Sequence, residues 1–130
     1  MARLLLDTTV LIDALRGRPA ADRLRFARRA GDEPWTCAIS VEEVWRGSRP
    51  EEETRIRRLL RGLRCAPIGM TEGERAGNWR RDYATRGTTL HQADCLIAAA
   101  ALSVGSTLVT GNPKDFPMAD LTVIHWPVGG

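Results

Sequence analysis

The sequence predicts an α/β fold, a three-layer sandwich with a central, mainly parallel sheet. Two observations carry this reading. Short apolar runs alternate with longer amphipathic stretches along the chain, the pattern of strands joined by crossover helices. One long stretch, residues 93–104, is small and apolar on almost every side apart from Asp94, as befits a helix buried against a sheet. The 130 residues are expected to form a single domain, 1–130, large enough to bury roughly two-thirds of its unfolded surface.

The elements follow in order. Residues 3–6 are a short apolar strand that runs into Asp7. Residues 8–15 read as a helix, ended by Gly17 and Pro19. Residues 20–30 make a second, arginine-rich helix with Leu24 and Phe26 as core candidates. A turn, Gly31-Asp32-Glu33-Pro34, leads to a strand at 35–39. Ser40 is placed as an N-cap with Glu43 three residues on, the capping-box spacing, and that helix runs to Arg46 and stops at Gly47. Pro50 opens the next helix, with Glu51, Glu52 and Glu53 in its first turn. Ile56, Leu59, Leu60 and Leu63 are its apolar stripe. Residues 64–68 are a third strand, and residues 71–86 a helix capped by Thr71 with Glu74 at the box position. Thr88 or Thr89 starts the alanine-rich helix, which Gly105 ends. Residues 107–110 and 121–124 are the last two strands.

Composition narrows the possible functions. The net charge is +3, carried almost wholly by arginine, since Lys114 is the only lysine. Guanidinium groups grip phosphate or carboxylate in a two-pronged way. The charge therefore fits RNA or an acidic partner, and a GC-rich genome would produce it equally well. Cys37, Cys65 and Cys95 are odd in number and widely spaced, which argues for small buried hydrophobes and against a disulfide framework or structural zinc. His91 and His125 have no second nitrogen donor near them in sequence and read as structural or surface residues. No run is long enough to span a bilayer, and Asp7 interrupts the apolar stretch that an export signal would need. A cytoplasmic protein with no membrane association is expected.

Four acids stand where an open parallel sheet gathers its functional groups, outside the carboxyl ends of the strands. Asp7 follows the first strand, Glu43 lies on the helix after the second, Asp94 near the start of the alanine-rich helix, and Asp115 in the loop after the fourth strand. Asn112 adds an oxygen in that loop. Carboxylates crowded together repel and raise one another's pKa unless a cation joins them. Mg²⁺ and Mn²⁺ favour such hard oxygen donors and keep positions open for phosphate and water. Each acid also has a plain structural reading, Glu43 as a capping-box partner and Asp94 as a first-turn acid at the helix dipole. Asp13, Glu42 and Asp120 look structural, although Glu42 would replace Glu43 if the helix register differed.

At these residues the chain resembles the PIN-domain family, and most closely the VapC-type toxins of bacterial toxin–antitoxin pairs. The matching segments are residues 5–12 (LLDTTVLI), 40–47 (SVEEVWRG), 94–100 (DCLIAAA) and 108–116 (LVTGNPKDF). Each alone is weak; four in the family's order across nearly the whole chain are specific. The resemblance implies a ribonuclease that uses Mg²⁺ or Mn²⁺. It selects Glu43 over Glu42, because the family's acid stands just before the Val/Leu-x-x-Gly ending. It makes Asp7, Glu43 and Asp94 the core metal ligands and catalytic residues. Asp115 completes the metal and catalytic set, with Asn112 beside it in support, and Thr8 and Thr110 assist by hydrogen bonds. A metal-activated water would attack the RNA phosphorus and leave a 5′-phosphate and a 3′-hydroxyl. The resemblance further implies a homodimer silenced by a cognate antitoxin, in a hetero-tetramer or larger assembly, with a basic antitoxin side chain aimed at the acids.

Other readings share part of this pattern. A PIN nuclease of RNA processing would share the acids. A PIN-like binding module would have lost its metal, against which the presence of all four acids speaks. A phospho-acceptor receiver domain would need an acidic pair early in the chain and a strand-end lysine, and Lys114 lies too far along. Arg55, Arg57, Arg58, Arg61 and Arg64 would serve RNA, antitoxin or simply solvent. The tryptophans read as packing residues, with Trp45 the best candidate to face a partner.

Overall fold

The computed structural model describes residues 1–129. Its centre is a sheet of five strands: β1 (Arg3–Leu6), β2 (Glu33–Cys37), β3 (Arg64–Ala66), β4 (Thr107–Thr110) and β5 (Val123–His125). The strand order is β3-β2-β1-β4-β5, and every pair is parallel. Parallel neighbours require crossovers, which the helices supply. These are α1 (Thr8–Leu15), α2 (Pro19–Arg29), α3 (Ala38–Arg46), α4 (Glu53–Arg61), α5 (Met70–Thr85) and α6 (Gln92–Ser103).

Alternation along the strands sorts the core into two layers. Leu5 and Leu108 point to one face with Cys37 and Ala66, under α5 and α6. Leu4, Leu6 and Val109 point to the other, against Val10 and Leu11 of α1, Leu24 of α2, Val44 of α3 and Ile56 of α4. Ala98, Ala99, Ala100 and Ala101 are fully buried. Their small side chains let α6 lie close to the sheet, as its composition predicts.

Several local expectations needed correction. α3 starts directly from β2 with Cys37 as N-cap, so Ser40 is a buried residue inside the helix and Glu43 is free of any capping duty. α5 is capped two residues earlier than expected, through the Gly69 amide donating to Glu72 Oε1 at 2.7 Å. Glu72 also accepts from Ser103 of α6, a tertiary contact that local pattern does not reveal. Thr88 and Thr89 lie outside α6, whose N-cap is His91. Pro50 opens a single 3-10 turn, Pro50–Glu52, with α4 beginning after it. β2 begins two residues before the expected 35–39, and β5 two residues after the expected 121–124. Phe26 is 73% exposed and outside the core, while Leu24 is inside it. Cys37 and Cys95 are buried, as expected, but Cys65 is exposed on β3, the edge strand of the sheet.

Candidate functional site

β1 is the pivot of the sheet: the order runs outward from it to β2 and β3 on one side and to β4 and β5 on the other. The crevice between β1 and β4 is thus the topological switch point, where open parallel sheets bind ligands at the strand C-termini. Asp7 leaves β1 at that point, and its amide still pairs with Val109 O of β4 at 3.0 Å.

Asp7 is only 4% exposed. It is the N-cap of α1, with Oδ1 accepting from the Val10 amide at 3.1 Å and from Thr9 Oγ1 at 2.6 Å. Oδ2 accepts from the Thr110 hydroxyl. Burial pushes this carboxyl up, and the hydrogen bonds from Thr110, Thr9 and Val10 work against that rise. Each threonine also accepts from an amide of the loop after β4: Gly111 N to Thr9 Oγ1 and Asn112 N to Thr110 Oγ1, both 2.9 Å. A hydroxyl has one proton. With an amide occupying its acceptor side, that proton is directed at Asp7.

Glu43 reaches the same crevice from α3. Its Oε1 accepts from Thr8 Oγ1 at 2.6 Å, and Thr8 Oγ1 also lies 3.1 Å from Ser40 Oγ. Glu42, one position away, is exposed. Asp115 ends a 3-10 turn, Pro113–Asp115, and its Oδ2 accepts from Asn112 Nδ2 at 2.9 Å. Asn112 therefore faces Asp115 and orients it.

Asp94 feels the charges of the other three acids. It sits half-buried in the first turn of α6. Burial is the largest cause that pushes its carboxyl up, to about 6; the charge of Asp115 is next, and those of Asp7 and Glu43 add to it. His91, the α6 N-cap, opposes the rise. The structure thus brings Asp7, Glu43 and Asp115 within electrostatic reach of Asp94, with Thr8, Thr110 and Asn112 bonded to Glu43, Asp7 and Asp115. Among the described residues, no three Asp, Glu, His or Cys side chains are grouped tightly enough to enclose an ion as they stand. The donor chemistry nonetheless fits a hard divalent cation: the acids supply oxygens alone, and the charges of Asp115, Asp7 and Glu43 add to the burial that pushes the Asp94 carboxyl up, as crowding without a counter-charge does.

Sequence reasoning missed three residues here. His91 reads in sequence as a structural or surface residue, although its i, i+3 spacing from Asp94 at a helix start is a usable signal. Thr9 and Gly111 carried no signal, because their contact joins residues 102 positions apart.

Comparison with known proteins places the chain in a family. The sequence pattern of the PIN domain matches residues 4–120. The ribonuclease VapC10 of Mycobacterium tuberculosis is 34% identical over 127 residues, 96% of this chain and 86% of that protein. A toxin–antitoxin complex from Klebsiella pneumoniae contains a chain with TM-score 0.76 and 28% identity, covering 93% of this chain and 95% of that one. In fold alone, VapBC2 from Rickettsia felis, bound to a DNA fragment from its promoter, is similar with TM-score 0.84 at 21% identity, over 95% of this chain and 98% of that one.

Proposed function

Since this chain belongs to the PIN-domain family, and within it to the VapC-type proteins, we propose that it is a divalent-metal-dependent endoribonuclease and the toxin of a toxin–antitoxin pair. One observation carries the reading: burial first, and then the charges of Asp115, Asp7 and Glu43, raise the Asp94 carboxyl, so three acids from other parts of the chain converge on the fourth. The name of the M. tuberculosis relative, a ribonuclease, and the toxin–antitoxin complex from K. pneumoniae support the substrate class and the partner.

Asp7, Glu43 and Asp94 would hold Mg²⁺ or Mn²⁺, with Asp115 as the fourth acid. When bound, such a cation supplies charge for the phosphate oxygens and lowers the pKa of water. The chain's own residues do the rest. Thr9 and Thr110 donate to both Asp7 oxygens and oppose the rise that burial imposes on its carboxyl. Thr8 holds one Glu43 oxygen and leaves the other for the site. Asn112 aims Asp115. The acids repel RNA phosphate, so the bare site discriminates against substrate until positive charge offsets them. An antitoxin that places a guanidinium among the acids would silence the site by the same charge logic. Homodimerisation, cytoplasmic location and the organisation of residues 1–130 as a single domain belong to this proposal as well.

The test is incubation of purified protein with total cellular RNA, with Mg²⁺ or Mn²⁺ and then with EDTA. Discrete metal-requiring cuts with 5′-phosphate ends support the reading. Absence of cutting by folded, antitoxin-free protein on RNA of the cell that encodes it overturns it.

A further inference from the structure

Asp13 is a buried acid that RNA cleavage does not use. It is 3% exposed, and both of its oxygens are occupied. Oδ2 accepts from the Ala20 amide in the first turn of α2, and Oδ1 from the Gly129 amide, each at 2.9 Å. Two further bonds hold the same stretch of chain. Arg23 donates to Pro127 O at 2.7 Å, and the Trp126 amide to Thr110 O at 2.9 Å. Residues 126–129 are therefore pinned at three points, running from the end of β4 to α1 and α2.

Between these pins lies Val128. It is 40% exposed, so burial of its own surface is a weak reason for its position. Its methyl groups abut Gly111: a Cβ there would lie 2.7 Å from both of them and 3.1 Å from Thr9 Oγ1. The Gly111 amide is the donor that turns the Thr9 hydroxyl toward Asp7. A shift of the Gly111 backbone would free Thr9 to rotate and withdraw one of the two hydroxyls that grip Asp7.

We infer that residues 126–129 are a positioning strap for the acidic centre: Asp13 and Arg23 hold the strap, Val128 presses the Gly111 backbone, and Thr9 passes that constraint to Asp7. The inference rests on the proposed cleavage activity only for its kinetic consequence. The strap's mechanical part is read on the protein alone. Thr9 and Asp13 are positioning residues, acting through Asp7 and through the strap.

The test uses Val128→Gly, Thr9→Val, Thr9→Ser and the Val128→Gly/Thr9→Val pair. In cation-free protein without RNA, Val128→Gly should speed hydrogen exchange of the Gly111 and Asn112 amides by about tenfold or more, with α6 amides unchanged, because only the local opening is made easier. In RNA cleavage, Val128→Gly and Thr9→Val should each lower kcat by about tenfold with KM within about twofold, the signature of a lost alignment and not of lost binding. Thr9→Ser, which keeps the hydroxyl, should retain parental kcat. Because the strap acts through Thr9, the double variant should be no slower than Thr9→Val alone. Parental exchange at Gly111 in Val128→Gly overturns the strap, as does a double variant whose loss is the product of the two single losses. Faster exchange at Gly111 in a protein that cuts no RNA supports the strap and sinks the nuclease reading instead.

Discussion

Thr8 and Glu43, 35 residues apart in sequence, are joined by a hydrogen bond of 2.6 Å from the threonine hydroxyl to Glu43 Oε1. The bond ties the first residue of α1 to α3 and sets which Glu43 oxygen faces the other acids. A hydrogen bond to an ionised group contributes about 1.5–3 kcal/mol. Thr8→Val should therefore slow RNA cleavage by roughly tenfold or more, while Thr8→Ser should stay near the parent. Steady-state cleavage of a defined RNA checks this, and equal rates for valine and serine would show that Glu43 needs no such anchor.

Asp7 has two separable duties, capping α1 and supplying charge. Asparagine caps a helix as well as aspartate, and alanine does not. Asp7→Asn should abolish cleavage and leave the melting temperature close to the parent's. Asp7→Ala should abolish cleavage and also cost about 1–2 kcal/mol, or about 3–8 °C in thermal unfolding. It further strips the Thr9 and Thr110 hydroxyls of their acceptor. Similar melting temperatures for the two variants would contradict the capping geometry.

The raised carboxyl of Asp94 gives stability a definite pH dependence. Its ordinary value is 3.8 and its folded value about 6, so between them the folded state holds a proton that the unfolded state has released. The contribution of Asp94 to the stability of the cation-free protein then falls as pH rises from about 4 to about 6. The ceiling is about 3 kcal/mol, reduced to about 1–2 kcal/mol because the carboxyl is only half-buried. The rise at Asp7 has the same sign. Thermal unfolding in EDTA from pH 4 to pH 7 measures the slope. Asp94→Asn should flatten it, and a parental slope in that variant would remove Asp94 as its source.

The alanine face of α6 predicts a packing limit. Ala99 is fully buried in the layer between α6 and the sheet. Ala99→Leu adds volume where none is free and should cost about 1–3 kcal/mol by overpacking. Denaturant unfolding checks the loss, and an unchanged midpoint would mean that α6 can move away from the sheet freely.

The parallel sheet, the bounds of α1 and β4, and the buried α6 were legible in the sequence because each rests on local pattern: an apolar run meeting Asp7, a Thr107–Thr110 strand before Gly111, an alanine-rich stretch around Asp94. The places of Asp7 and Asp115 beyond β1 and β4 were legible because strand ends are predictable once strands are. What failed was decided by tertiary contact. Ser40 is buried in contact with Thr8 and does not cap α3. Glu72, and not Glu74, closes the start of α5, because Ser103 of α6 also binds it. The alignment of Thr9 by Gly111 and Val128 joins three distant parts of the chain, and no periodicity encodes it.

The central claim is that Asp7, Glu43, Asp94 and Asp115 act as one cation site. Titration of the purified protein with Mn²⁺, followed by calorimetry or electron paramagnetic resonance, tests it most directly, with Asp7→Asn, Glu43→Gln, Asp94→Asn and Asp115→Asn beside the parent at matched folding. The account predicts saturable binding by the parent that weakens by about tenfold or more in each variant of the Asp7, Glu43 and Asp94 set, with a smaller loss at Asp115. Parental Mn²⁺ affinity in those three variants would contradict it.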